Sequence, residues 1–161
     1  MSTAGALGQP HLYGVGDVAR IAPFTDTSNY QGLIAAANLK GADRVADYRA
    51  VYTDPPVAAV GLTRRQARDQ GLGTVSSVCS FADTARALAE GVTSGQVVLL
   101  ADRVKRVLVG AAIAGPQADK SIGWAALAIT AGISLDVLRD TVTPFPTYSE
   151  AYLAALATLA L

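Results

Sequence analysis

The chain has 161 residues, 51% of them hydrophobic and only 16% charged, which excludes a disordered polymer and leaves room for one cored domain, or one domain plus a remnant of another. Lys and Arg number 13 and Asp and Glu 13, a balance that argues against a nucleic-acid surface or an acidic-membrane binder. The longest apolar stretches, residues 125–133 and 151–161, reach about half of a bilayer span, and no basic-then-apolar leader opens the chain.

Residues 1–10 are small, Gly-containing and aperiodic, and read as a frayed start. HLYGVG at 11–16 reads as a short buried strand closing in a turn at Gly16-Asp17. After a loop over 19–27, Leu33, Ile34 and Ala37 have helical spacing within 28–40; Thr27 or Ser28 can cap that helix and Gly41 suits the left-handed position after it. The polar run 42–47 marks a boundary, so residues 1–46 read as the end of an α/β unit and 47–161 as a second domain. Residues 48–53 and 57–60 are predicted extended, broken by Asp54-Pro55-Pro56. Thr63 to Gln66 has capping-box spacing and opens a short helix ending at Gly71. Residues 73–81 alternate imperfectly as a strand that carries Cys79. Segments 96–101 and 106–114 flank Asp102 to Lys105 as a hairpin. Helices are predicted over 117–131, closed by Gly132, and over 134–139, capped by Ser134. The two prolines hold 143–146 extended, and Thr147 to Glu150 forms a second capping-box pattern, opening a helix to the C-terminus. Strands followed by helices indicate an α+β fold, a small antiparallel sheet with packed helices.

Five blocks in order (LYGVGDV, YRAVYTDPPVAAVGLT, VLVGAAIAGPQADKSIGWAALAI, the stretch 132–138, and PFPTYSEAY) make the chain resemble the pyridine nucleotide-disulfide oxidoreductases, the family of glutathione reductase, dihydrolipoamide dehydrogenase and mercuric reductase. The resemblance covers about residues 11–160. It implies that the first segment ends an FAD-binding domain and that the rest is a dimerisation domain. It makes Gly16, Asp17 and Thr25 cofactor-binding candidates: the aspartate contacts the flavin's ribityl chain, and a helix N-terminus near Thr25 faces the flavin's pyrimidine edge, where unpaired amides favour negative charge. On turn statistics alone, Gly16-Asp17 is an ordinary turn dipeptide. The resemblance further implies that PTxSE closes the partner subunit's active site, with a histidine two residues before the threonine as acid/base and the glutamate, here Glu150, orienting it.

Phe145 stands at that histidine position and cannot transfer a proton, as mercuric reductase similarly lacks the histidine there. Glu150 is also accounted for by its capping position. The sole histidine, His11, lies in the opening strand, and Cys79 alone cannot replace the family's cysteine pair. No glycine-rich dinucleotide fingerprint is present. The expectation is therefore a C-terminal dimerisation portion of an FAD-dependent NAD(P)H oxidoreductase. It binds neither FAD nor a metal by itself, is inactive alone, and sits over the partner's flavin site. The low charge suggests surface buried against another chain, in a homodimer formed through the sheet and the last helix, with Tyr148 and Tyr152 lining the interface and Trp124 anchoring core or interface. A split-enzyme subunit completed by a separate FAD- and NAD(P)-binding chain, and a free-standing non-catalytic module, are the alternatives. No nucleic acid or membrane is expected as partner. The single cysteine fits a cytoplasmic setting. Arg64, Arg65 and Arg68 read as a solvated helix face.

Overall fold

The computed structural model describes residues 14–20, 25–38 and 48–160, and the chain divides into two compact units, Met1–Arg49 and Ala50–Leu161. Of the expected features, the frayed start, the Gly41 cap and the boundary at 42–47 lie outside the described residues, as do residues 11–13 of the strand expected over 11–16; its described part is not a strand, since 14–15 are irregular and Gly16 opens a 3-10 turn. In the first unit, Gly16–Ala19 is a 3-10 turn and α1 spans Thr25–Asn38. The helix thus begins ahead of the expected 28, inside the stretch read as loop. Ile34 is buried, whereas Leu33, expected on the same apolar face, is 64% exposed.

The second unit is an α+β fold built on a five-stranded sheet of order β1-β2-β5-β4-β3. Its strands are β1 (Tyr48–Val51), β2 (Val57–Gly61), β3 (Thr74–Ser80), β4 (Gln96–Asp102) and β5 (Val107–Ala114). The pairs β2–β5, β5–β4 and β4–β3 are antiparallel. The β4–β5 hairpin lacks an Asn-Gly turn and closes by other means. Asp102 Oδ1 accepts from the amides of Val104 and Lys105 at 2.8 and 2.9 Å, and Arg106 takes the left-handed conformation at φ 55°. The register slips between Leu100 and Ala101, leaving Val109 without a partner in β4. Its carbonyl instead accepts from Leu62 N at 2.7 Å. The backbones pass so closely there that a Cβ on Gly110 would run into the Leu62 carbonyl oxygen.

Alternation along the strands gives the sheet two unlike faces. Ala58, Val60, Val97, Leu99 and Ile113 are buried on the face covered by α4 (Ala118–Thr130) and α6 (Glu150–Thr158). On the other face, α2 (Arg64–Asp69) and the turn after it approach Leu100 along a groove that Arg64, Arg68, Leu72 and Ser76 also line. The cross-strand row Ala59–Ala112–Val98–Val78 stays partly exposed, with Val78 at 51% and, beside the row, Val57 at 42%.

Helix ends follow their caps. Thr63 and Gln66 complete the expected box, and Ser134 Oγ accepts from Val137 N at 3.4 Å to open α5 (Leu135–Arg139). Gly132, at φ 60°, follows α4 as expected. One helix has no counterpart in the sequence reading: α3 (Ala85–Glu90), capped by Thr84 Oγ1 accepting from Ala87 N at 3.2 Å and ended by Gly91 at φ 68°. Both capping signals were legible; the six-residue span carries too little periodicity to announce itself. Arg139 closes the far end of α6, donating from Nε and Nη2 to the carbonyl of Leu156 at 3.1 and 3.0 Å and from Nη2 to Leu159 at 3.1 Å.

Candidate functional sites on two separate units

In the first unit the Gly16-Asp17 turn is tied to α1 by one buried hydrogen bond. Gly16 N donates to Gln31 Oε1 at 2.7 Å, and Gln31 is wholly buried. Gly16 has φ +75°, and a Cβ there would sit 3.2 Å from Ser28 Oγ, so glycine suits the position on both counts. Asp17 follows, its side chain exposed at the start of the 3-10 turn, and Thr25 is the exposed first residue of α1. The sequence reading missed Gln31. Its one signal was its place three residues before Ile34, on the side of α1 that turns inward.

The second unit presents the loop 143–149. Phe145 is 76% exposed between Pro144 and Pro146. Around it the backbone is held at several points. Thr147 Oγ1 donates to the Pro144 carbonyl at 2.7 Å, and Thr147 N donates to Glu150 Oε1 at 2.8 Å. Only half of the expected capping box therefore forms here. The Thr147 hydroxyl is spent on Pro144 rather than accepting an amide, and α6 begins at Glu150 rather than just after Thr147. The helix also stops at Thr158, short of the expected C-terminus.

Tyr148 and Tyr152 do not line an exposed interface, as the sequence suggested; both are buried in their own fold. Tyr152 OH donates to the Ser121 carbonyl at 2.9 Å, its ring lies 4.5 Å from that of Trp124, and burial pushes its phenol well above the ordinary range. This pair makes Trp124 an anchor between α4 and α6. Leu156 is likewise fully buried, so α6 offers the exterior mainly Ala154, Ala157 and Thr158.

Tyr148 stacks on Phe81, centroids 5.4 Å apart and planes inclined 24°, and its hydroxyl donates to Glu90 Oε2 at 2.5 Å. Glu90 Oε1 in turn accepts from Arg86 Nε at 2.6 Å. The Tyr148 hydroxyl, and then Arg86, hold the Glu90 carboxyl below its ordinary range, while burial and then Glu90 raise the Tyr148 phenol. Glu90 and Arg86 went unremarked in the sequence because α3 did. Cys79 lies on β3 as expected, its Sγ 3.9 Å from Thr158 Oγ1. Among the described residues no cluster of His, Cys, Asp and Glu could hold a metal ion, and no helix is long and apolar enough to cross a membrane.

Comparison with known proteins bears on both units. The sequence profile described as "Pyridine nucleotide-disulphide oxidoreductase, dimerisation domain" matches residues 48–156. Dihydrolipoyl dehydrogenase of Thermus scotoductus is 35% identical over 149 residues, 91% of this chain and 32% of the relative. Dihydrolipoyl dehydrogenase of Bacillus subtilis is 32% identical over 145 residues, 88% of this chain and 31% of the relative. The chain thus spans about a third of the length of the curated relatives it matches. Among solved structures, LpdA from Mycobacterium tuberculosis superposes with a TM-score of 0.82 at 22% identity, covering 98% of this chain and 35% of that one, a likeness of fold. The copper complex of the HOCl-induced flavoprotein disulfide reductase RclA from Escherichia coli gives 0.78 at 25% identity, covering 92% and 36%.

Proposed function

The chain belongs to the pyridine nucleotide-disulphide oxidoreductase family through its dimerisation domain, and from that premise we propose that it is the C-terminal dimerisation portion of an FAD-dependent NAD(P)H oxidoreductase, assembling as a homodimer. The observation that carries this reading is the partly open apolar sheet face around Val78 and Val98, next to a fold whose other sheet face is already filled by its own helices. Covering such a face with a second protein surface recovers about 25 cal/mol for each Å² of apolar area removed from water. In the same reading residues 1–46 end the FAD domain and 47–161 form the dimerisation domain. Gly16, Asp17 and Thr25 meet the flavin, and the loop with Phe145 and Glu150 covers the partner's flavin site.

Supporting the flavin assignment, the Gly16 amide is tied to Gln31 on a helix whose first residue is Thr25, and the exposed Asp17 follows it directly. Glu150 keeps its carboxylate on the Thr147 amide, a bond that orders the loop and needs no proton transfer; with Phe145 at the acid/base position, this loop contributes shape rather than a titrating group. FAD and NAD(P) belong to the parent enzyme, and the 161-residue chain alone retains neither. A cytoplasmic location agrees with the single unpaired cysteine.

Light scattering on the purified chain tests the reading. The expected mass is twice 16.5 kDa. A monomer at high micromolar concentration would sink the homodimer and favour a chain that completes a separate FAD- and NAD(P)-binding polypeptide.

A further inference from the structure

We propose that Tyr148 and Glu90 are positioning residues for Phe145, fixing the loop 143–149 so that the phenyl ring stands outward as a preformed contact for a partner surface. The proposal deepens the dimerisation reading and rests on it for the identity of the partner, a second copy of this chain.

The geometry points this way because the anchors sit on both sides of one exposed ring. On the N-terminal side, the Pro144 carbonyl receives the Thr147 hydroxyl at 2.7 Å. On the C-terminal side, Thr147 N is bonded to Glu150, and the Tyr148 ring is clamped between its stack on buried Phe81 and its 2.5 Å hydrogen bond to Glu90. Pro144 and Pro146 fix their own φ and restrict Thr143 and Phe145 before them, so the backbone on either side of the ring has few alternatives. The loop carries no buried apolar side chain of its own ahead of Tyr148, and Val142 and Phe145 are 92% and 76% exposed. Without the tie to α3, a segment of this kind would sample many conformations and would have to be ordered on docking, which weakens association. With it, the ordering is done before the partner arrives.

Glu90 is suited to the task by its own restraint. Its carboxylate is at the end of α3 and exposed, and the Arg86 guanidinium one turn earlier holds it in place toward Tyr148. The Tyr148 ring supplies packing and the hydroxyl supplies direction. Removing the hydroxyl alone therefore leaves the core intact and frees the loop.

The test is a double-mutant cycle on the 161-residue chain, with self-association read by sedimentation equilibrium and loop order by exchange of the Thr147 amide. Phe145→Ala is expected to weaken association about tenfold or more, as for an aromatic anchor. Tyr148→Phe and Glu90→Ala are each expected to weaken it about threefold to tenfold and to speed Thr147 exchange. Glu90→Gln, which keeps an acceptor for the phenol, is expected to restore both towards the starting chain. In the Phe145→Ala background Tyr148→Phe should cost nothing further, since there is no ring left to position. Additive losses in the double variant, or unchanged Thr147 exchange in Tyr148→Phe, would overturn the proposal. If the chain proves monomeric while Tyr148→Phe still speeds Thr147 exchange, the homodimer reading falls and the second copy as partner with it, whereas the ordering of the loop by Tyr148 stands.

Discussion

Two helices of this chain open on nearly the same sequence pattern and end up held by different means. At Thr63 the box closes fully: Gln66 N donates to Thr63 Oγ1 at 3.2 Å, and Thr63 N donates to Gln66 Oε1 at 2.9 Å. At Thr147 only the second half survives, because the hydroxyl turns back to Pro144 and the amide of Glu150 finds the Thr147 carbonyl at 3.3 Å instead. The helices behind them differ in the same sense. Six-residue α2 buries only Ala67, whereas α6 buries Ala151, Tyr152, Ala155 and Leu156 against the sheet. A short exposed helix depends on its cap, since nucleation without packing is unfavourable. A helix seated in the core can lend its capping residue to a neighbouring loop.

That contrast can be broken most forcefully from the core side. Tyr152→Ala removes the ring that meets Trp124 and the hydrogen bond to Ser121, and is expected to cost about 3–5 kcal/mol in urea unfolding; a loss below about 1 kcal/mol would mean that α6 is not held by its buried face. Next in size, Thr63→Ala should cost about 1 kcal/mol, and more than Thr147→Ala, which leaves the Thr147 amide on Glu150 and should cost about half as much. Equal losses would show that the two boxes are equivalent after all. Glu150→Gln keeps an acceptor for that amide and is expected to shift stability by no more than about 0.5 kcal/mol; a much larger loss would give the charge of Glu150 a role beyond capping.

The smallest effect concerns pH. The Glu90 carboxyl is lowered by Tyr148 and then Arg86, so the stability it contributes is present above the ordinary carboxylate range and is lost as pH falls through its depressed value. Acidification below that range should destabilise the starting chain slightly more than Tyr148→Phe, in which the largest cause of the shift is gone. Identical acid profiles would assign no pH-dependent part to this hydrogen bond.

Much of the architecture was readable before the structure. The strands around Asp54-Pro55-Pro56, the β4–β5 hairpin, the complete cap at Thr63, the cap at Ser134 and the stop at Gly132 each rest on residues within a few positions of one another, and local chemistry suffices for them. α3 was missed because six residues hold barely more than one turn of pattern. The partners of the candidate site were invisible for another reason: Glu90 meets Tyr148 across 58 positions, and Gln31 meets Gly16 across 15. No spacing rule reaches that far.

The sequence by itself determined the α+β class, the order of the strands in the second unit and of every helix there but α3, and the family resemblance, which implies an acid/base histidine where Phe145 stands. Only the tertiary structure decided that Tyr148, Tyr152 and Leu156 face inward, that α6 starts at Glu150, and that Phe145 is left outside on a loop tied to α3. The physical reason is that apolar composition states how much surface must be covered, not by what. Whether a tyrosine is covered by its own sheet or by a partner depends on which neighbours the fold brings within a few ångströms, and those neighbours are set by the packing of the whole second unit.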